Sequence, residues 1–381
     1  MSFKGQFKSR ENLWVHAVSV GEILTISELI NQLTATFPQY QIICSTVTTT
    51  GYALAQEKFK DKAIVIYAPL DWSWVVEKYI RLIKPRLYIA AETEIWPNLY
   101  RALKKSGVPI VIINGRISDK AFKGYQKFSF FVKRILRDVT VFCMQTESDS
   151  ERVKKLGADS RRVRTLGNLK FDGTVAVTTL KLEDLGFDSK DCVLIGGSTH
   201  PGEEEILLEL FQRLQPKFAN LRLVIAPRHI ERSFEIMKMI EAKGFEVKRF
   251  SQLWVRTHNS AKTIVVVDTI GHLRTLYSLA TLVFVGKTLV GKGGQNMIEP
   301  ASFGKAIIVG SHTENFKDVV RIFLEQKALV QVKTSDDFMT EVEDLLQNFE
   351  RRQSLARAAK QVVEENKGAT QRTMDVLREL L

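Results

Sequence analysis

The chain has 381 residues, 45% hydrophobic, 26% charged and 9% aromatic, and its 22 glycines and 9 prolines carry no repeat, which excludes fibrous, low-complexity and solenoid classes. Lysine plus arginine total 55 against 43 acids, and the net charge of +12 favours anionic partners: nucleic acid, anionic lipid or phosphorylated substrate. Cys44, Cys143 and Cys192 stand far apart with no CxxC or Cys/His ligand spacing, so the sequence predicts core thiols, no structural metal and a reducing compartment.

No apolar run reaches about 18 residues, and residues 1–18 lack the apolar core of a signal peptide. The expectation is a soluble or surface-bound cytoplasmic protein. The length suggests two domains.

In chain order, continuous apolar runs at 13–20, 40–47, 62–69, 86–92, 109–115 and 139–146 alternate with amphipathic stretches such as 22–37 and 75–84. Unbroken apolar runs read as parallel strands buried on both faces. After a polar segment near 170–188 the alternation restarts, with runs at 192–197, 221–227, 245–250, 263–268, 281–287, 305–310 and 328–332. The pattern predicts an α/β fold of two Rossmann-like, doubly wound domains facing across a cleft. The predicted boundaries are 1–175, 176–350 and 351–381, the last a long helical stretch able to pack back on the first domain.

Ligands of such sheets bind beyond the carboxyl ends of the strands, so polar strand ends matter most. The first is Ser19-Val20-Gly21-Glu22: Gly21 permits a tight turn. Glu22 is either a general base or an acid complementing the dipole of the helix it opens, and that dipole would lower its pKa. Glu92-Thr93-Glu94-Ile95-Trp96-Pro97 ends another strand; its two carboxylates either bind sugar hydroxyls or cap the next helix. Arg116 follows a strand as an anion contact or a surface arginine. Residues 116–137 carry seven basic side chains and one acid, interleaved with Phe122, Tyr125, Phe128, Phe130 and Phe131. They form either an anionic-membrane surface or an amphipathic helix whose aromatics face the core.

In the second half, Gly196 to Gly202 precede Glu203-Glu204-Glu205, a glycine-rich helix entry that leaves amides free for phosphate. Arg228 at a strand end could clamp a phosphate, with His229 assisting or structural. Gly293-Gly294-Gln295-Asn296-Met297-Ile298-Glu299 is the strongest local signal: glycines for close backbone approach, then a carboxylate placed to accept both hydroxyls of a ribose.

With these segments in order, the chain resembles the 3-deoxy-D-manno-octulosonic acid (Kdo) transferases, which attach Kdo to lipid A precursors. The matching pieces include HAVSVGE (16–22), STVTTTGY (45–52), ETEIWPN (92–98), NGRISD (114–119), LGNLKFD (166–172), GSTHPGEEE (197–205), APRHIER (226–232) and GGQNMIEPA (293–301), spread over almost the whole chain. The resemblance implies a GT-B fold, CMP-Kdo as donor, inverting transfer to a lipid A precursor such as lipid IVA, and no cofactor, metal or nucleic acid. It implies Glu22 as base. It places one acid of the Glu92/Glu94 pair on the acceptor or Kdo side, and Gly197, Ser198, Arg228, Gly271, Asn296 and Glu299 on the CMP side; by position at the strand ends, Ser19, Gly21 and Arg116 are expected beside the former and Thr199, His229 and Gly294 beside the latter. The chain departs from the family where Gln295 replaces a usual histidine, His272 a usual acid, and Gly286-Lys287-Thr288 a usual GG-Ser. The family's apolar N-terminal anchor is nearly absent, so peripheral attachment to the cytoplasmic face of the bacterial inner membrane is expected through residues 116–137. The alternative is another GT-B enzyme using a UDP-sugar, either a lipid glycosyltransferase or an epimerase.

Overall fold

A computed structural model describes residues 11–173, 180–253 and 260–381. These fall into two compact units, one within Met1–Thr174 and Asn366–Leu381, the other within Val175–Glu365.

Among the described residues the first unit holds strands β1 (Asn12–His16), β2 (Gln41–Thr46), β3 (Ala63–Tyr67), β4 (Pro85–Ala91), β5 (Ile110–Gly115), β6 (Val141–Met144) and β7 (Val163–Thr165). All pairs are parallel, in the order β3-β2-β1-β4-β5-β6-β7. The chain winds outward from β1, then returns to start again at β4, so the order reverses between those two strands. Successive side chains point to opposite faces. On β1, Leu13 and Val15 enter one core with Ile23, Leu29 and Leu33, while Trp14 enters the other with Tyr88, Tyr100 and Phe142. Helices cover both faces, which is why the strands read as unbroken apolar runs.

The helix Ala369–Arg378 belongs to this first unit. The Asp172 carboxylate accepts the Gly368 and Thr370 amides at 2.6 and 2.5 Å, and Ala369, Met374, Val376 and Leu377 complete the core beside Leu29 and Leu33.

The second unit holds β8 (Cys192–Thr199), β9 (Leu221–Pro227), β10 (Glu246–Arg249), β11 (Thr263–Val266), β12 (Leu282–Val285), β13 (Ala306–Val309) and β14 (Val330–Gln331). Their order is β10-β11-β9-β8-β12-β13-β14, again all parallel, and the winding reverses between β8 and β12.

Three details depart from the sequence reading. β7 was not expected: it is three half-exposed residues at a sheet edge, two of them polar, so it leaves no apolar run. The 22–37 stretch is two helices, Val20–Thr25 and Ser27–Thr36, and the long C-terminal stretch breaks at Asn348 into Ser335–Gln347 and Phe349–Asn366. Cys44 and Cys143 are buried and Cys192 half-buried, all free thiols. No described helix is long and apolar enough to cross a membrane.

Candidate functional site

In the first unit the site grows from the carboxyl ends of β1, β2, β4 and β5. The turn after β1 is held by β2 and the segment behind it: the Ala17 amide donates to the Ser45 carbonyl at 2.9 Å, and the Thr46 hydroxyl to the Val18 carbonyl at 2.9 Å. Gly51 is needed here, because a Cβ would stand 2.7 and 2.8 Å from the Thr48 and Thr46 hydroxyls. The turn so fixed delivers Glu22 in the first turn of Val20–Thr25, where its carboxylate accepts the Val18 amide at 2.6 Å and the Ser19 hydroxyl at 3.0 Å.

Glu22 is 8% exposed. Burial pushes its pKa up to about 7, Glu92 and Glu94 push the same way, and the two hydrogen bonds oppose without prevailing. The lowering expected from the helix dipole therefore does not win. Gly21 is not forced by the turn: it sits inside the helix, and a side chain there would meet only the Ser19 hydroxyl, at 3.9 Å.

Glu92 follows β4 in a left-handed conformation, φ +56°, its amide still donating to the Ile113 carbonyl. The Thr93 hydroxyl accepts the Arg116 amide at 3.0 Å and so ties the ends of β4 and β5 together. Capping of Pro97–Lys105 falls to Asp71, whose carboxylate accepts the Asn98 and Leu99 amides at 3.1 and 2.8 Å. Glu92 and Glu94 are thus not spent as caps. Burial and Glu92 raise the Glu94 pKa.

Two features of this end escaped the sequence reading. His16, the last residue of β1, is buried with Nδ1 2.9 Å from the Ser45 hydroxyl and its ring edge-on to Trp96 at 5.7 Å; burial lowers its pKa to about 4. Leu70, Trp72 and Trp74, between β3 and the helix Ser73–Ile83 or in its first turn, are 62%, 58% and 66% exposed. The 116–137 segment divides between its two readings: Phe122 and Tyr125 pack on the core, whereas Phe128, Phe130 and Phe131 are exposed.

In the second unit the ends of β8, β9 and β12 converge. Gly197 admits Tyr277, whose hydroxyl would lie 2.1 Å from a Cβ, and Gly286 admits the Ser198 carbonyl. Ser198 is left-handed at φ +55°, and the Thr199 side chain is buried. Arg228 follows β9 with its amide on the Thr199 carbonyl, and the His229 ring lies 6.0 Å from that of His200.

Part of the helix entry is taken up by the chain's own acids. Glu203, fully buried, accepts the amides of His200 (2.9 Å), Lys287 (2.8 Å), Thr288 (3.1 Å), Leu289 (3.2 Å) and Val290 (3.3 Å), and Glu205 takes that of Gly202. The acidic first turn organises the chain's own loop.

Gly293 and Gly294 are both left-handed, at φ +117° and +76°, and the approach they permit is internal. A Cβ on Gly294 would meet the His312 carbonyl at 3.1 Å, and one on Gly293 the Asn315 amide group at 2.8 Å. Asn296, before the start of Ile298–Ser302, accepts the Ile298 amide at 2.9 Å and donates to Glu299 at 3.3 Å. Burial raises the Glu299 pKa against the pull of Arg274 and Asn296, and Glu299 in turn acts on Tyr277. Gly197, Asn296 and Glu299 are thus brought around Tyr277. Gly271, φ +93°, has open space above it, just before Leu273–Tyr277.

Residues 2–173 match the family described as 3-deoxy-D-manno-octulosonic-acid transferase (kdotransferase), and residues 203–362 that described as glycosyl transferases group 1. A 3-deoxy-D-manno-octulosonic acid transferase of Haemophilus influenzae is 32% identical over 375 residues, covering 97% of this chain and 87% of that protein. The chain belongs to the Kdo transferase family. Both matched regions are glycosyltransferase domains. A bifunctional glycosyltransferase/methyltransferase of Fusobacterium nucleatum is 35% identical over 350 residues, 89% of this chain, and the chain spans 53% of that relative's length. The fold is that of two-domain GT-B proteins: UDP-GlcNAc 2-epimerase from Neisseria meningitidis aligns with a TM-score of 0.62 at 12% identity over 97% of this chain and all of that one.

Proposed function

We propose that the protein transfers Kdo from CMP-Kdo to a hydroxyl of a lipid A precursor, with the second unit binding the donor and Glu22 of the first unit as general base. The observation that carries this is the Glu22 carboxylate: buried, held at a strand end by the Val18 amide and Ser19 hydroxyl, and poised at about 7. A base of that pKa is half ionised near neutrality and accepts a proton more readily than an ordinary carboxylate. As the acceptor oxygen bonds to the anomeric carbon, Glu22 takes its proton, and the bond to the donor phosphate breaks with CMP leaving. Glu92 and Glu94 sustain the high pKa and offer acceptors to sugar hydroxyls, beside Ser19, Gly21 and Arg116. Arg228 balances the phosphate charge, with His229 assisting beside it, an electrostatic contribution of the kind that usually dominates such steps. Glu299 and Asn296, near Gly197 and Tyr277, suit the nucleoside, with Ser198, Thr199, Gly271 and Gly294 bordering it.

The acceptor's lipid character agrees with the exposed Leu70, Trp72 and Trp74, and a peripheral site on the cytoplasmic face of the inner membrane with Phe128, Phe130 and Phe131 among lysines. Incubation with CMP-Kdo and a tetra-acylated lipid A precursor, followed by mass spectrometry, tests the reading. Added mass of one or more Kdo residues is expected. Tight binding of UDP in place of CMP would instead favour a UDP-sugar transferase, and consumption of a UDP-sugar without acceptor an epimerase. Co-sedimentation with anionic vesicles, lost on Phe130→Ser plus Phe131→Ser, tests the surface; equal sedimentation of the variant discards it.

A further inference from the structure

Lys287 stands two residues after β12, beyond Gly286, with φ +58°, a left-handed conformation that favours glycine and costs any other residue strain. Its backbone is fixed: the amide donates to Glu203 Oε2 at 2.8 Å, the same oxygen that receives the His200 amide at 2.9 Å. Lys287 and His200 therefore start from one anchoring atom. The side chain runs over the glycine loop, with Cε 3.6 Å from where a Cβ of Gly293 would stand. Burial is the main cause that lowers the His200 pKa, and Lys287, His229 and Arg228 add to it, which places all three near that ring. Elsewhere in this unit the buried Arg222 pairs with Asp191 and the half-buried Arg232 with Glu204. Among the described residues Lys287 and Arg228 have no carboxylate partner. Positive side chains gathered at the ends of β8, β9 and β12, with Arg228 and His229 exposed and Lys287 half-buried, make an open site that attracts an anion from outside.

We infer that Lys287 binds the phosphate of the bound nucleotide, completing with Arg228 and His229 a cationic clasp at the point where the second sheet reverses its winding. This rests on the donor reading given above, and the test separates the two. The full chain, Lys287→Gly and Lys287→Met are titrated calorimetrically with CMP, with cytidine and with UDP, and melted without ligand. Both variants are expected to bind CMP about tenfold more weakly, as for loss of one charge-assisted hydrogen bond, with cytidine affinity unchanged and the glycine variant no less stable. Equal CMP affinity in all three proteins overturns the inference. So does an equal loss for cytidine, because the lysine then only shapes the loop. If the wild-type protein binds UDP and not CMP, the donor reading falls and the same comparison on UDP decides Lys287. A wild-type protein that binds neither overturns both.

Discussion

Glu22 shows how opposing forces on one carboxylate are resolved by packing. A helix N-terminus, a backbone amide and a hydroxyl all favour the charged form; burial and two neighbouring acids favour the neutral one, and they win. Glu22→Gln is expected to lower turnover by about 10²–10⁴-fold with nucleotide affinity unchanged. The wild-type rate should climb with pH and level off above about 7, as the base ionises. The folded state binds this proton more tightly than the unfolded chain, so above pH 7 the buried charge costs stability, on the order of 3 kcal/mol. The glutamine variant should therefore melt higher than wild type at pH 8, and the gain should vanish below about pH 4.5. A variant that melts lower at pH 8 would make residue 22 a cap and nothing more. The position of this residue was legible in the sequence, because a polar group directly after an apolar run marks a strand end. Its pKa was not: it is raised by burial in the folded unit and by Glu92 and Glu94, remote in sequence. Lys287 was read only as a departure from the family, since nothing in a sequence marks a lysine as left-handed.

At the level of elements, the loop after β12 is built around Glu203. An acid in a first helical turn reads as a partner for the dipole, worth well under 1 kcal/mol at a surface. Here the carboxylate is buried and accepts five amides from two chain segments. Glu203→Gln puts an NH2 among N–H donors and leaves amides unsatisfied, at a cost of about 3 kcal/mol. The variant should melt lower, and lose affinity for CMP because Lys287 is no longer held. Glu205→Gln, which touches only the Gly202 amide, should do much less of either; equal effects of the two would remove the special role of Glu203. Most strands were legible, because a strand covered on both faces must be apolar throughout. What failed were elements whose stability is not local. β7 survives as an edge beside β6, and β10 and β11 exchange places relative to chain order, which no run of residues announces. The breaks at Ile26 and Asn348 fall inside patterns whose apolar spacing continues across them, so periodicity alone joined the helices.

For the molecule as a whole, acid stability of the first unit depends on two buried groups that titrate in opposite senses. His16 has a folded pKa of about 4 against an ordinary 6.5, so between those values the unfolded chain holds more protons and stability falls as pH drops. Glu22 has a folded pKa of about 7 against an ordinary 4.5, so between those values the folded chain holds more protons and stability rises as pH drops. The windows overlap from about 4.5 to 6.5, and the slopes, each at most about 1.4 kcal/mol per pH unit, are similar in size and opposite in sign. In the wild-type protein they cancel there. Each single variant unmasks the other group: relative to wild type, His16→Gln should lose stability as pH rises across this window, and Glu22→Gln should gain it. Taking differences from wild type removes every other titrating group, so denaturant melts of the three proteins at pH 4.5, 5.5 and 6.5 suffice. Differences that stay constant with pH, or that run in the same direction for both variants, would mean that these two side chains do not titrate from the buried environments described for them.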